Sequence, residues 1–127
     1  MSRLALTTLV VPDYDEAIAF MRDGLGFMVR EDHDLGGGKR WVVVGGEDGG
    51  ALLLARATNE RQQAAIGDQF GGRVGLIAHT DDFEDRAKAL EAAGARFCEA
   101  PRHEPYGTVA VFEDPWGNRW DLIQPVA

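Results

Sequence analysis

The chain lacks the residues that several kinds of chemistry require. Cys98 is the only cysteine among 127 residues, so no intrachain disulfide can form and a reducing compartment fits best. Ser2 is the only serine, and Cys98 has no histidine in its own strand, so no nucleophilic triad can be read. Basic residues are scarce: 13 Lys and Arg face 21 Asp and Glu, a formal charge of −8 with no basic run. Nucleic acid and anionic membrane surfaces both need clustered Lys and Arg, so neither is expected as a partner. No apolar run approaches the ~20 residues of a membrane span. The N-terminus also lacks the basic start and long apolar stretch of a signal peptide. The expected location is cytoplasmic.

What the chain has is an internal repeat. LTTLVVPDYDEAIAFM from Leu6 reads as a strand and then a helix, and LIAHTDDFEDRAKALE from Leu76 repeats that order. The closing segments also match, VVVGGEDGGALLLA from Val42 with VAVFEDPWGNRWDL from Val109. The reading is an α+β fold in one domain over 1–127, built from two βαβββ modules at about 3–57 and 73–125. A polar linker with a possible helical turn joins them at about 58–72. Asp13 and Asp82 are the expected helix N-caps, and Gly24 and Gly94 the helix stops. Two such modules, paired edge to edge, would form a cup-shaped mixed sheet with helices outside. Gly36-Gly37-Gly38-Lys39 is not a phosphate loop, because Arg40 stands where Ser or Thr is needed and a strand follows.

Two segments, VVPDYDEAIAFMRDGLGF and FEDPWGNRWDLI, together with this order of elements, resemble the vicinal oxygen chelate superfamily. That group contains glyoxalase I, extradiol dioxygenases, fosfomycin-resistance enzymes and bleomycin-binding proteins. The resemblance covers nearly the whole chain. It implies the cup, and it implies metal ligands on the first and last strand of each module. Carried over residue by residue, those positions are Leu6, Leu54 (within about a residue), Leu76 and Asp121. Leucine has no lone pair, and a divalent metal needs three or four N, O or S donors. No metal or other cofactor is therefore expected, unless ligands have moved to His33, His79 or His103 with nearby acids.

Strand alternation predicts the cup's lining. The first module is expected to turn Leu6, Thr8, Val10, Val42, Val44, Leu52, Leu54 and Arg56 inward. The second is expected to turn Leu76, Ala78, Thr80, Val109, Val111, Arg119, Asp121 and Ile123 inward. Leu53, Ile77, Phe112, Trp120 and Leu122 are expected in the core, and His79 on the outer face with a structural hydrogen bond. Asp121 has two readings. It is a carboxylate with a raised pKa that accepts a ligand's hydrogen bond or acts as a general base, or it is ion-paired with Arg119 or Arg56. The 101–107 segment is expected to overhang the mouth. There Arg102 would clamp a carboxylate, Glu104 would add a charge and Tyr106 would stack on a ring or donate a hydrogen bond; the alternative is a solvated loop stiffened by two prolines. His103 and Glu104, adjacent in an extended strand, should point to opposite faces.

Three functions follow. The first is a metal-free protein that binds a small organic molecule, in the manner of the bleomycin-binding relatives. The second is an enzyme (lyase, isomerase or dioxygenase) working through relocated metal ligands or through Asp121 as base. The third is a purely structural role. A homodimer is expected in each case.

Overall fold

A computed structural model describes all 127 residues, Met1 to Ala127. The acid at each helix start determines where the chain turns from strand to helix. Asp13 is extended (φ −154°), and its side chain accepts the Glu16 N–H at 2.9 Å, opening α1 at Tyr14–Asp23. Helix α1 buries Tyr14, Ala17, Phe20 and Met21. It ends differently from expectation: Gly24 keeps a right-handed φ of −83°, and Gly26, at φ 70°, makes the left-handed turn. The Phe27 N–H is thereby delivered to the Met21 carbonyl at 2.9 Å.

The first unit, Met1–Ile66, contains one four-stranded mixed sheet. Its strands are β1 (Thr7–Val11), β2 (Met28–Gly36), β3 (Lys39–Gly45) and β4 (Ala51–Arg56), in the order β1-β4-β3-β2. Strands β1 and β4 run parallel, and the other pairs are antiparallel. The register decides the faces, because residues directly across from each other point to the same side. Leu9 lies across from Leu54, which lies across from Val42, and Leu52 lies across from Val44; all five are buried. Val11, also buried, lies across from Arg56, whose guanidinium sits over the Tyr14 ring of α1 at 5.8 Å. This is the core side. Val42, Val44, Leu52, Leu54 and Arg56 are therefore on the helix side, contrary to expectation. The residues that share Thr8's side are Leu53, Val43 and, through Val10, Ala55.

The expected polar linker contains α2, Glu60–Ala65. Asn59 caps it by accepting the Gln62 N–H at 2.9 Å, and no residue of this helix is buried.

The second unit, Gly67–Ala127, repeats the topology. Asp82 caps α3 (Phe83–Ala92) through the Asp85 N–H at 3.1 Å, and Gly94 makes the left-handed stop at φ 104°. Strands β5 (Leu76–His79), β6 (Arg96–Phe97), β7 (Arg102–Glu104), β8 (Gly107–Glu113) and β9 (Arg119–Pro125) form one sheet. Its order is β5-β9-β8-β6, with β7 also paired to β8, and β5 runs parallel to β9. Strands β6 and β7 together occupy the place of β2. Pro101, which has no N–H to give to a ladder, falls in the gap between them. The core here is aromatic: Phe83, Phe97, Phe112 and Trp120 follow one another at centroid distances of 6.3, 5.5 and 5.8 Å. Phe112, Trp120 and Leu122 are buried as expected.

A single carboxylate ties the β8–β9 turn to that core. Buried Asp114 accepts the backbone N–H groups of Trp116 (3.1 Å) and Asn118 (2.9 Å) at Oδ1. At Oδ2 it accepts Asn118 Nδ2 (2.9 Å) and Trp120 Nε1 (3.1 Å). Burial pushes this carboxyl above the usual carboxylate range, although all four donors pull it down. Removing the acceptor strands buried donors, each at a cost of ~1–3 kcal/mol. Asp114→Ala is thus expected to lower stability by about 3 kcal/mol or more. Thermal unfolding followed by tryptophan fluorescence measures it, and a Tm within a degree or two of the parent's would contradict the assignment.

Candidate functional site

The open face of the second unit is set by β9. Asp121 lies across from Ile77 on β5 and Val111 on β8, and Ile123 lies across from His79 and Val109. Trp120 and Leu122, one residue out of phase, pair with Leu76 and Ala78 on the core side. Two expectations change here. Leu76 and Ala78 belong to the core side, whereas Ile77, 63% exposed, and His79 share the face of Asp121. No hydrogen bond holds the His79 ring. The cause is a one-residue difference in offset: the N-caps Asp13 and Asp82 make Thr8 the counterpart of Ile77, so Leu6 corresponds to Gly75 and not to Leu76.

The 101–107 segment is not a loop. Arg102 and Glu104 lie in β7, across from Val109 and Gly107, and Tyr106 occupies the hairpin turn, about half exposed. Gly107 makes this hairpin possible, because at its φ of 152° a Cβ would strike the Gln124 carbonyl. Register puts Arg102 and Glu104 on the Val109 side, while His103 faces the other way toward Thr108 Oγ1 at 3.3 Å. The opposed directions of His103 and Glu104 are as the extended reading requires.

Arg102 is already committed. Its Nε and Nη2 donate to Glu99 at 2.9 and 3.2 Å, and its Nη1 donates to Glu104 at 3.2 Å. The donors expected to clamp a ligand's carboxylate hold two of the protein's own. Glu99, which the sequence reading passed over, also accepts the Val111 N–H at 2.9 Å. Arg102 and that N–H together hold Glu99 below the usual carboxylate range. The only legible signal for Glu99 was its place three residues before Arg102, across Ala100-Pro101.

Asp121 has neither of its expected partners. Arg119 pairs with Glu113 at 3.6 Å, and Arg56 is on the helix side of the first unit. Half-buried among Val111, Ile77 and Ile123, the Asp121 carboxyl is pushed above the ordinary range, first by desolvation. Nearby Arg102 pulls it down and Glu99 pushes it up. The result is a two-sided surface, apolar strands carrying one unpaired acid, with a compensated Glu99–Arg102–Glu104 cluster beside it. With three carboxylates to one guanidinium, it favours a cation or a hydrogen-bond donor over an anion.

The residues do not fit a chelated metal. In corrected register the chelate positions are Leu6, Leu53, Gly75 and Asp121, and only the last has a donor atom. The Phe70 ring occupies the space where a side chain on Gly75 would begin. No group of three or more His, Cys, Asp or Glu side chains is placed to hold a metal ion. A hollow of about 460 Å³ at the β2–β3 turn is lined by Asp32, Asp34 and Arg40, but Arg40 there is spent on Asp15 (2.9 Å) and Asp32 (2.7 Å).

These couplings predict the titration of Asp121. Its midpoint is expected above the ~3.9 of a free aspartate. Glu99→Gln, which removes a like charge, should move it down; Arg102→Gln, which removes an opposite charge, should move it up. Carboxyl-carbon NMR across pH 2–8 reads both. Shifts of the opposite sign would mean that the cluster does not face Asp121.

Comparison with known proteins agrees with the topology. The sequence model of the Glyoxalase/Bleomycin resistance protein/Dioxygenase superfamily matches residues 3–122. A protein of Shewanella frigidimarina is 50% identical over 119 residues, 91% of this chain and 88% of that one. The crystal structure of UcmS2 is 31% identical with a TM-score of 0.77, covering 97% of this chain and 98% of that one. TnmS3, an antibiotic binding protein from Streptomyces sp. CB03234, is 27% identical with a TM-score of 0.73, covering 99% and 98%. No helix is long and apolar enough to cross a membrane. With its two βαβββ units and a family match over nearly its whole length, the chain belongs to the glyoxalase/bleomycin resistance protein/dioxygenase superfamily.

Proposed function

We propose that this protein binds a small organic molecule, apolar or aromatic in body and bearing a cationic or hydrogen-bond-donating group, without a metal. The observation that carries the reading is Asp121, an unpaired and partly desolvated carboxylate on a strand face whose accessible part is Val111, Ile77 and Ile123, with His79 at its end. A mainly apolar surface with a small number of polar groups is the usual character of a site for an organic ligand. The net charge of −8 attracts cations over longer range. The similarity to TnmS3, an antibiotic binding protein, points the same way. In the first unit, Trp41 and Leu53 fall on the face of Val43, which gives that half an apolar surface of its own. The functional form in this reading is a homodimer, which sedimentation velocity would register.

One observation favours a second reading, catalysis. A carboxyl held above its ordinary range is a better proton acceptor near neutral pH, and Asp121 could serve as general base on a carbonyl compound. The two readings separate cleanly, because binding needs no turnover.

The test is a screen of planar aromatic cations and neutral aromatics by thermal shift, followed by calorimetry on Asp121→Asn. A cationic ligand should lose about tenfold in affinity or more in the variant, equivalent to ~1.4 kcal/mol. The variant's Tm should stay level or rise, since a desolvated charge has been removed. Affinity should also fall as pH drops through the Asp121 midpoint. That midpoint is raised, so the loss begins at higher pH than for an ordinary carboxylate. Equal affinities for wild type and variant would remove Asp121 from the site.

A further inference from the structure

The segment before β5 brings an aromatic ring onto the face of Asp121. The Arg73 N–H donates to the Phe70 carbonyl at 3.1 Å, closing a four-residue turn whose central residues, Gly71 and Gly72, have φ of 64° and 79°. Two positive φ values in succession define a tight turn of the I′ type, which glycine adopts without strain. On its other side the segment is fastened at Gly67, where a Cβ would strike the Trp116 carbonyl of the β8–β9 turn. Phe70 is thus presented from a fixed turn.

Its ring stands where a side chain on Gly75 would be, since a Cβ built there would collide with the ring's Cγ, Cδ1 and Cδ2. Gly75 continues β5 by one residue, its N–H donating to the Arg119 carbonyl at 3.1 Å, and by alternation it shares the face of Ile77. Asp121 lies across from Ile77, two residues further along the strands than the ring, or ~7 Å. Ile77, 63% exposed, is the floor between them. Glu113 on β8 draws the Arg119 guanidinium to its own side, at 3.6 Å. The ring itself is partly exposed and borders a hollow of about 270 Å³.

We infer that Phe70 is the ring-recognising wall of the Asp121 site and that the ligand is an arylalkylamine. Its ring stacks on the exposed part of Phe70, its protonated amine meets Asp121, and a short alkyl chain crosses Ile77. The inference rests on the reading of Asp121 as the partner of a cation. It adds the second point of contact: an aromatic group at a set distance from the charge, which a simple alkylamine lacks and a neutral aromatic leaves without its acid.

Calorimetry on the full-length protein with phenylpropylamine and cyclohexylpropylamine, equal in charge and similar in size, tests it. The wild type should prefer the phenyl compound by about fivefold, the worth of one aromatic pair. In Phe70→Leu the preference should vanish, and the retained affinity for the cyclohexyl compound reports that the variant is folded. Gly75→Ala should abolish the preference as well, because its methyl displaces the ring and leaves Asp121 untouched. The two substitutions together should cost no more than either alone. Equal affinities in the wild type, or a preference that survives both variants, would overturn the role of Phe70; Asp121 keeps its own role in that case if Asp121→Asn still weakens both compounds. Binding of neither compound would overturn the arylalkylamine assignment, and the wider screen of aromatic cations then decides on Asp121 separately.

Discussion

Everything at the candidate site depends on the parallel pairing of the first and last strands of each unit. In β1–β4 and again in β5–β9, one register determines which side chains meet the helix and which remain on the open face. A slip of one residue would exchange them all: Asp121 would enter the aromatic core and Trp120 would leave it. The slip is prevented from the core side. Leu9, Leu54 and Val42 in one unit, and Trp120, Phe112 and Leu122 in the other, are too large and too fully buried to exchange faces. The open face is thus defined by what the core excludes, and Asp121 is in place because Trp120 and Leu122 on either side of it are buried.

The second unit fastens this register by polar means as well. Asp114 gathers the turn's backbone and the Trp120 indole onto one carboxylate, so the start of β9 is fixed by four hydrogen bonds before the ladder begins. Glu99 plays a comparable part at the other end of the face, accepting the Val111 N–H from the gap between β6 and β7 and anchoring Arg102 beside it. These two acids behave oppositely. Desolvation dominates at Asp114 and the partner charge dominates at Glu99, so one is raised and the other lowered. Asp121 follows the first pattern without the compensating donors, which sets it apart as a group available to a ligand.

Much of the fold was legible because it is written in local chemistry. The capping acids Asp13 and Asp82, the three-glycine turn at 36–38 and the alternation in β8 and β9 each announce their element within a few residues. The faces were less legible. Val42-Val43-Val44 and Leu52-Leu53-Leu54 are uniformly apolar, so alternation cannot say which residue points to the helix. Alternation counted from the positions that the resemblance implies therefore turns Leu54 and Leu76 toward the open face, whereas both lie on the helix side, one residue out of phase. The same uniformity hid Ile77, whose apolar character suggested core although the register exposes it. The Glu99–Arg102–Glu104 cluster was half visible. Its residues were near in sequence, but only the β7–β8 pairing reveals that Arg102 serves the protein and not a ligand.

We propose that this chain keeps the superfamily's scaffold while an organic ligand takes the place of the chelated metal. Metal content by mass spectrometry decides it, on protein exposed to nickel, manganese, iron and zinc and then desalted. With leucine, leucine and glycine at three of the four chelate positions, retention should be far below one equivalent for every metal. Near-stoichiometric retention of any one of them would mean that a donor set exists elsewhere in the fold, and that Asp121 must be reconsidered as part of a metal centre.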